Sequence, residues 1–284
     1  MRILLTGATG FTGLHFSAIA KSRGHTIIPL KARLDDPHAL ATELQLIDFT
    51  HVVHFAAISF VGHTDPRAFY DVNLFGTLNL LDAIITHGVV PKMMVLASSA
   101  TIYGNALISP VPETRIPAPV SHYATSKLAM ECMARTYVER LPLLIARPFN
   151  YTGPRQSISF LLPKLVDHFR KRSPVIELGN LDVEREFNDV RMVCDAYLTL
   201  LEQGVAGETY NICSGIPYTL RSVIGKLTGL TGHHIDVHVN PRFVRANEIK
   251  SLCGDPQKLL ATVGSVVNVS LDDTLSWMLK ETMA

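Results

Sequence analysis

An apolar run, Ile3-Leu4-Leu5, opens into Thr6-Gly7-Ala8-Thr9-Gly10-Phe11-Thr12-Gly13, with three glycines spaced three apart. A buried strand that ends in such a turn and continues into a helix predicts a cradle for a dinucleotide pyrophosphate. Gly7 permits the tight turn, Gly10 lets backbone approach a phosphate, and Gly13 lets the helix pack on the strand. The N–H groups at the helix start, around Phe11 and Thr12, then face the phosphates. Glycine spacing alone also suits an ordinary turn, and it is the preceding strand that gives the pattern weight.

Strand-like runs recur at Ile3–Thr6, Thr26–Leu30, His51–Phe55, Met93–Ser98 and Leu143–Arg147. Helical patterns lie between them: Phe11–Arg23 ends at Gly24, and Asn73–His87 ends at Gly88. Alternation of this kind predicts an α/β fold with a doubly wound parallel sheet of Rossmann type, its carboxyl strand ends lining one crevice. The second half is less regular. Leu161–Lys171, Val190–Gln203 and Leu220–Thr228 read as helices, and Thr209–Cys213 and Asp236–Val239 as strands. Proline and glycine cluster at Pro148–Pro154 and Gly215–Pro217, as at crossings between lobes. The expected division is a dinucleotide-binding domain over 1–150, with 186–213 returning to it, and a smaller carboxyl-terminal α/β lobe over 151–284.

Composition narrows the function classes. The 284 residues carry a net charge of +1 and are 47% hydrophobic, which supports a sizeable core and gives no sign of nucleic-acid or membrane binding. No apolar run is long enough to span a bilayer. Met1 leads directly into the first strand, so no signal peptide is expected. Cys132, Cys194, Cys213 and Cys253 are too scattered for a zinc or redox motif and read as buried, reduced thiols of a cytoplasmic protein. His233, His234 and His238 read as exposed or hydrogen-bonded rather than as metal ligands, and His51 and His54 as core or cofactor-lining residues.

Tyr123-Ala124-Thr125-Ser126-Lys127 is the candidate catalytic element. Tyrosine and lysine four apart on a helix share a face. A free phenol titrates near ~10, too high for acid–base work at neutrality; a nearby ammonium stabilises the phenolate and lowers that value. The phenol can then exchange a proton with a substrate oxygen while a nicotinamide exchanges hydride with its carbon. Upstream, Ser98-Ser99-Ala100-Thr101 places hydroxyls at a strand's carboxyl end, where they can bond a carbonyl oxygen.

Together these segments resemble the extended short-chain dehydrogenase/reductases that act on nucleotide sugars. The resemblance runs through Gly7-x-x-Gly10-x-x-Gly13, His54-Phe55-Ala56-Ala57, Asn73-Leu74-Phe75-Gly76-Thr77, Ser99, Tyr123-x-x-x-Lys127 and Arg147-Pro148-Phe149-Asn150. It implies that Tyr123 is the acid/base, that Lys127 grips the nicotinamide ribose and that Ser99, with Thr101, meets the reacting oxygen. It implies further that Asn73 supports the active-site helix, that Phe55, Ala56 and Ala57 line the cofactor, that Pro148 and Phe149 flank the nicotinamide, and that Asn150 meets the sugar-nucleotide phosphate. Family members often pair through the helices near Asn73 and Tyr123. A homodimer is therefore expected, with Ala129, Met130, Met133 and Ala134 either at that interface or facing the sheet.

In NAD-preferring members an acid after the second strand bonds the ribose 2′-hydroxyl. Here the position holds Lys31, followed by Arg33 and Leu34; cations attract a 2′-phosphate, so NADP(H) is expected, with NAD(H) as the alternative. Dehydratases of the family carry acids just after the equivalent of Ser99, where this chain has Ala100 and Thr101. The stretches 146–156, 178–191, 210–215 and 244–248 resemble the GDP-sugar branch, which implies that Arg185 and Arg245, with Glu248, meet the diphosphate or guanosine. The expected reaction is NADPH-dependent reduction of the C4 ketone of a GDP-4-keto-6-deoxyhexose. A 4-epimerase with tightly held NAD is the alternative, and a non-catalytic dinucleotide-binding protein a second. Arg155 stands where that branch usually has glycine, implying a differently shaped loop, and 263–268 lacks an expected Gly-Trp-x-Pro turn, with Trp277 lying later.

Overall fold

The computed structural model describes residues 1–60, 63–106, 108–243 and 249–281. The first half alternates strand and helix: β1 (Arg2–Thr6), α1 (Phe11–Ser22), β2 (Thr26–Pro29), α2 (Pro37–Gln45), β3 (His51–His54), α3 (Pro66–Tyr70), α4 (Gly76–His87), β4 (Met93–Ala97), α5 (His122–Arg135) and β5 (Leu143–Pro148). The second half holds β6 (Tyr151–Thr152), α6 (Leu161–Arg170), β7 (Val175–Leu178), β8 (Glu184–Arg185), β9 (Asn188–Asp189), α7 (Val190–Gln203), β10 (Thr209–Ile212), β11 (Tyr218–Thr219), α8 (Leu220–Thr231), β12 (Asp236–Val239), β13 (Ser251–Leu252), α9 (Gln257–Val263) and α10 (Leu271–Lys280).

Six strands form one parallel sheet in the order β2-β1-β3-β4-β5-β10. Every residue of β3 and β5 is buried, as expected for strands covered on both faces. One face packs Ile3, Leu5, Val53 and Val95 against α1, α7 and α9; the other packs Leu4, Val52, Met94 and Leu96 against α2, α4 and α5. Met130 and Ala134 belong to this second core and so face the sheet. The order of connection reverses between β1 and β3, which opens a crevice beyond their carboxyl ends. The smaller cluster joins α6, α8 and α10 through Leu165, Phe169, Leu227 and Leu275, flanked by short two- and three-stranded sheets.

Two expectations change. The pattern over Asn73–His87 predicted a single helix, but the chain enters α4 through a π-helical turn at Asp71–Phe75 that directly follows α3. Wide turns of this kind are rare and often sit at functional positions; this one carries the fully buried Asn73. Of the four cysteines, Cys132 on α5 is exposed, while the other three are buried. Among the described residues no helix is long and apolar enough to cross a membrane.

A buried ion pair ties α5 to β5. The guanidinium of Arg147 donates to both Glu131 oxygens, at 2.9 and 2.6 Å, and to the Tyr103 hydroxyl at 2.8 Å. Tyr103 in turn donates to Asn211 on β10 at 2.8 Å. Both charged side chains are at most 5% exposed, so removing either strands the other. Arg147→Met or Glu131→Leu alone should lower unfolding free energy by about 3–5 kcal/mol, and the double variant should recover most of that loss. Denaturant melts of the three variants check this; additive losses would contradict it.

Candidate active site

The crevice begins at the β1–α1 turn. Gly7 has a φ of 68°, a conformation that favours glycine. A Cβ there would lie 2.8 Å from the Ala56 backbone nitrogen, and one at Gly13 would overlap the Gly7 carbonyl. The Gly10 N–H donates to the Gly7 carbonyl at 3.0 Å and starts α1. Among the described residues no side chain caps this helix at Gly10, so its first N–H groups remain donors for a phosphate. A cradle that side chains would fill, opening on uncapped donors, fits a dinucleotide pyrophosphate.

Phe11 and Thr12 turn toward the loop after β5. The Phe11 ring stacks on Tyr151 with centroids 6.0 Å apart, and the Thr12 and Tyr151 hydroxyls lie 2.7 Å apart. The loop beyond holds Arg155 at a φ of 69°, a left-handed backbone carried here by an arginine. Such a placement costs on the order of 1–2 kcal/mol in an L-residue. Trp277, on α10, stacks beneath the Arg191 guanidinium at 4.1 Å and edge-on to His15 at 5.6 Å.

At the other side of the crevice Ser99 follows β4 and starts a short 3-10 turn over Ala100–Tyr103. Its hydroxyl accepts the Thr101 N–H at 3.2 Å and lies 2.9 Å from the Thr101 hydroxyl. Ser121 caps α5, accepting the Ala124 N–H, and so sets Tyr123 in the first turn and Lys127 one turn on. The Ser99 hydroxyl faces the Tyr123 phenol. Burial pushes that phenol up, not down as the spacing to Lys127 predicted, and the Ser99 hydroxyl beside it opposes the shift. Burial drives the Lys127 ammonium down to about 8, with Glu131 acting in the opposite sense. Lys127 Nζ donates to the Ala97 carbonyl at 2.7 Å, which leaves further donors on the ammonium.

Asn73 reaches Ser126, between these two residues on α5, from the π-helical turn. Its Oδ1 accepts the Ile58 N–H at 2.9 Å, and its Nδ2 donates to Ser126 Oγ at 3.0 Å. Ala56 donates its N–H to the Thr6 hydroxyl at 3.0 Å; Ala57 is half-buried beside it. Phe55 turns inward, edge-on to Phe16 and Tyr197 at 5.4 and 4.7 Å. Pro148 ends β5. Phe149 is 1% exposed and lies in a cluster with Tyr103, Cys213 and Leu252, a packing role that the sequence pattern did not signal.

The loop after β2 carries Lys31 and Arg33 in the open. The Glu43 carboxylate on α2 accepts the Lys31 N–H at 3.0 and 3.1 Å and also that of Ala32. Arg33 is 80% exposed and pairs with Asp35. Leu34 is held by its carbonyl, which accepts from Asn79 Nδ2 at 2.7 Å. The Glu43 carboxylate thus takes the backbone donors of Lys31 and Ala32, while the side chains of Lys31 and Arg33 stay exposed.

The substrate-lobe candidates divide. Asn150 is exposed, and its carbonyl accepts the Asn188 N–H at 2.9 Å. Arg185 directs its guanidinium to the carbonyls of Glu184 and Ile249. Arg245 and Glu248 lie outside the described residues. Sequence reasoning passed over Glu186, a fully buried carboxylate that accepts from Gly254 N–H, Ser214 N–H and Oγ, and Asn188 Nδ2. It thereby ties the ends of β10, β9 and β13. An acid between Arg185 and Phe187 was its only trace in the chain, and that reads equally as a surface charge.

Comparison with known proteins agrees with this architecture. The family model for GDP-mannose 4,6 dehydratase matches residues 23–278. The chain is 35% identical to GDP-6-deoxy-D-talose 4-dehydrogenase of Aggregatibacter actinomycetemcomitans, over 93% of this chain and 92% of the relative. It is 32% identical to GDP-6-deoxy-D-mannose reductase of Pseudomonas aeruginosa, over 99% and 96%. The solved structure of RMD from Pseudomonas aeruginosa complexed with NADPH superposes with a TM-score of 0.90 at 30% identity, covering 98% of each chain. The chain belongs to the GDP-mannose 4,6-dehydratase family of extended short-chain dehydrogenase/reductases, the nucleotide-sugar oxidoreductases and epimerases.

Proposed function

We propose that this chain reduces the C4 ketone of a GDP-4-keto-6-deoxyhexose to a GDP-6-deoxyhexose of rhamnose or 6-deoxytalose type, using NADPH, as a cytoplasmic homodimer. The observation that carries the reading is the Ser99–Tyr123 hydroxyl pair beside a buried Lys127, with Ala100 and Thr101 where dehydration would need an acid. Two relatives named for GDP-6-deoxy sugars, each similar over more than nine-tenths of this chain, support the substrate class. The likeness to a reductase structure holding NADPH supports the coenzyme, with NAD(H) as the weaker alternative.

The nicotinamide dinucleotide, when bound in the glycine cradle, supplies the hydride that C4 accepts. Ser99 donates a hydrogen bond to the ketone oxygen and orients it. Tyr123 delivers its phenolic proton as negative charge develops on that oxygen. Lys127 offsets the charge left on the phenolate and offers its remaining N–H donors to the ribose. Raised phenol and lowered ammonium have opposite consequences for pH. The proton donor stays loaded through neutrality, whereas the supporting cation is lost as pH rises through about 8.

Four measurements test this reading. With GDP-4-keto-6-deoxymannose, NMR and mass spectrometry should show one 6-deoxyhexose product and stoichiometric NADPH consumption. Interconversion of sugars without added coenzyme would replace it with the epimerase. Tyr123→Phe should lower kcat by about 10²–10⁴-fold; near-full turnover would remove Tyr123 from the mechanism. NADPH should be preferred over NADH, and Arg33→Ala should lower kcat/KM for NADPH about tenfold while sparing NADH; equal use of the two coenzymes would overturn the preference. Last, kcat/KM for reduction should decline as pH rises past about 8. A decline only near about pH 10, the ordinary lysine range, would contradict the assignment.

A further inference from the structure

Behind the site lies a chain of buried hydrogen bonds, through side chains and two backbone carbonyls, that the mechanism above does not use. Thr6 Oγ1 lies 2.7 Å from His54 Nδ1, and His54 Nε2 lies 2.9 Å from Thr77 Oγ1. The Thr77 hydroxyl donates to the Asn73 carbonyl at 2.7 Å. Asn73 Nδ2 donates to Ser126 Oγ at 3.0 Å, and Ser126 Oγ donates to the Tyr123 carbonyl at 2.8 Å. Thr6, His54, Thr77, Asn73 and Ser126 are each at most 1% exposed.

The proton inventory gives this chain a direction. A hydroxyl has one proton. Thr77 spends its proton on Asn73, so it must accept from His54 Nε2–H. The ring's Nδ1 is then bare and accepts the Thr6 proton, while the Thr6 oxygen takes the Ala56 N–H. Each proton is used once, and only the neutral Nε2–H ring satisfies every link. Burial, with the Lys127 charge nearby, holds the imidazole neutral.

We propose that His54 is a positioning residue for catalysis. One ring nitrogen holds the exit of β3 against the glycine turn, and the other sets Thr77 and Asn73. Through Ser126, the first turn of α5 that bears Tyr123 is thereby registered against the coenzyme crevice. The kinetic part of the test rests on the reductase reading; the spectroscopic part does not.

The experiment compares His54→Gln, which keeps an amide donor toward Thr77, with His54→Leu and Thr77→Val, which break the chain at successive links. His54→Leu and Thr77→Val should lower kcat about 10- to 100-fold, the cost of a misplaced catalytic group, while KM for NADPH stays within about twofold. His54→Gln should recover most of the loss. In the coenzyme-free protein, nitrogen-15 spectra should show His54 protonated at Nε2 only. The Tyr123 Cζ resonance should move in both broken-chain variants while that of Tyr218, in the other lobe, does not. Thr77→Val supplies these readouts should His54→Leu fail to fold. The proposal is overturned if folded variants keep kcat, if the Gln and Leu variants fall equally, if Tyr123 is unmoved, or if His54 carries its proton on Nδ1. Absence of turnover by the wild-type protein would sink the reductase reading instead, and the resonances would still decide the role of His54.

Discussion

The close approach of the β1–α1 turn to the exit of β3 is the constraint from which the rest of the site follows. Backbone meets backbone there with no room for a side chain at Gly7, and the Thr6 hydroxyl bonds the Ala56 N–H across the gap. Because the sheet reverses its connection between those two strands, the same contact that closes the core also opens the crevice. Helix α1 then points its uncapped start into that crevice, and the ends of β3, β4 and β5 deliver Ala56, Ser99 and Pro148 to its rim.

Burial does the electrostatic work at this rim. Both Tyr123 and Lys127 are nearly inaccessible, and desolvation disfavours the charged form of each. The phenol therefore holds its proton more firmly, and the ammonium holds its proton less firmly, than either would in water. A site poised in this way suits delivery of a proton to a carbonyl being reduced. It also explains why the lysine needs help: Glu131, one turn along α5, opposes the desolvation of Lys127 while its own charge is balanced by Arg147.

Much of this was legible in the chain, for identifiable reasons. The inner strands of the sheet, such as β5, are buried throughout and read as apolar runs, and Tyr123 and Lys127 stand out because helical spacing alone puts them on one face. Helix α2 was missed although Asp36-Pro37 announces it, the aspartate accepting the Ala39 N–H; only Leu40 and Leu44 of the helix are buried, so the apolar stripe is thin. The π-helical turn at Asp71–Phe75 leaves no trace in a 3.6-residue periodicity. His54 meets Thr77, and Asn73 meets Ser126, across separations of 23 and 53 residues, a product of packing that no local pattern encodes. The same limit applies to the second half of the chain, where Arg185 turns to backbone carbonyls and Glu186 gathers three segments.

The central claim is that hydride arrives at C4 of the sugar from a coenzyme seated beside the Ser99–Tyr123 pair. Turnover of GDP-4-keto-6-deoxymannose with NADPH deuterated at the nicotinamide C4, one face at a time, tests it directly. The account expects one deuteron at sugar C4, and only there, from a single labelled face. Product formed with protium at C4 from both labelled coenzymes, or label at another carbon, would contradict it.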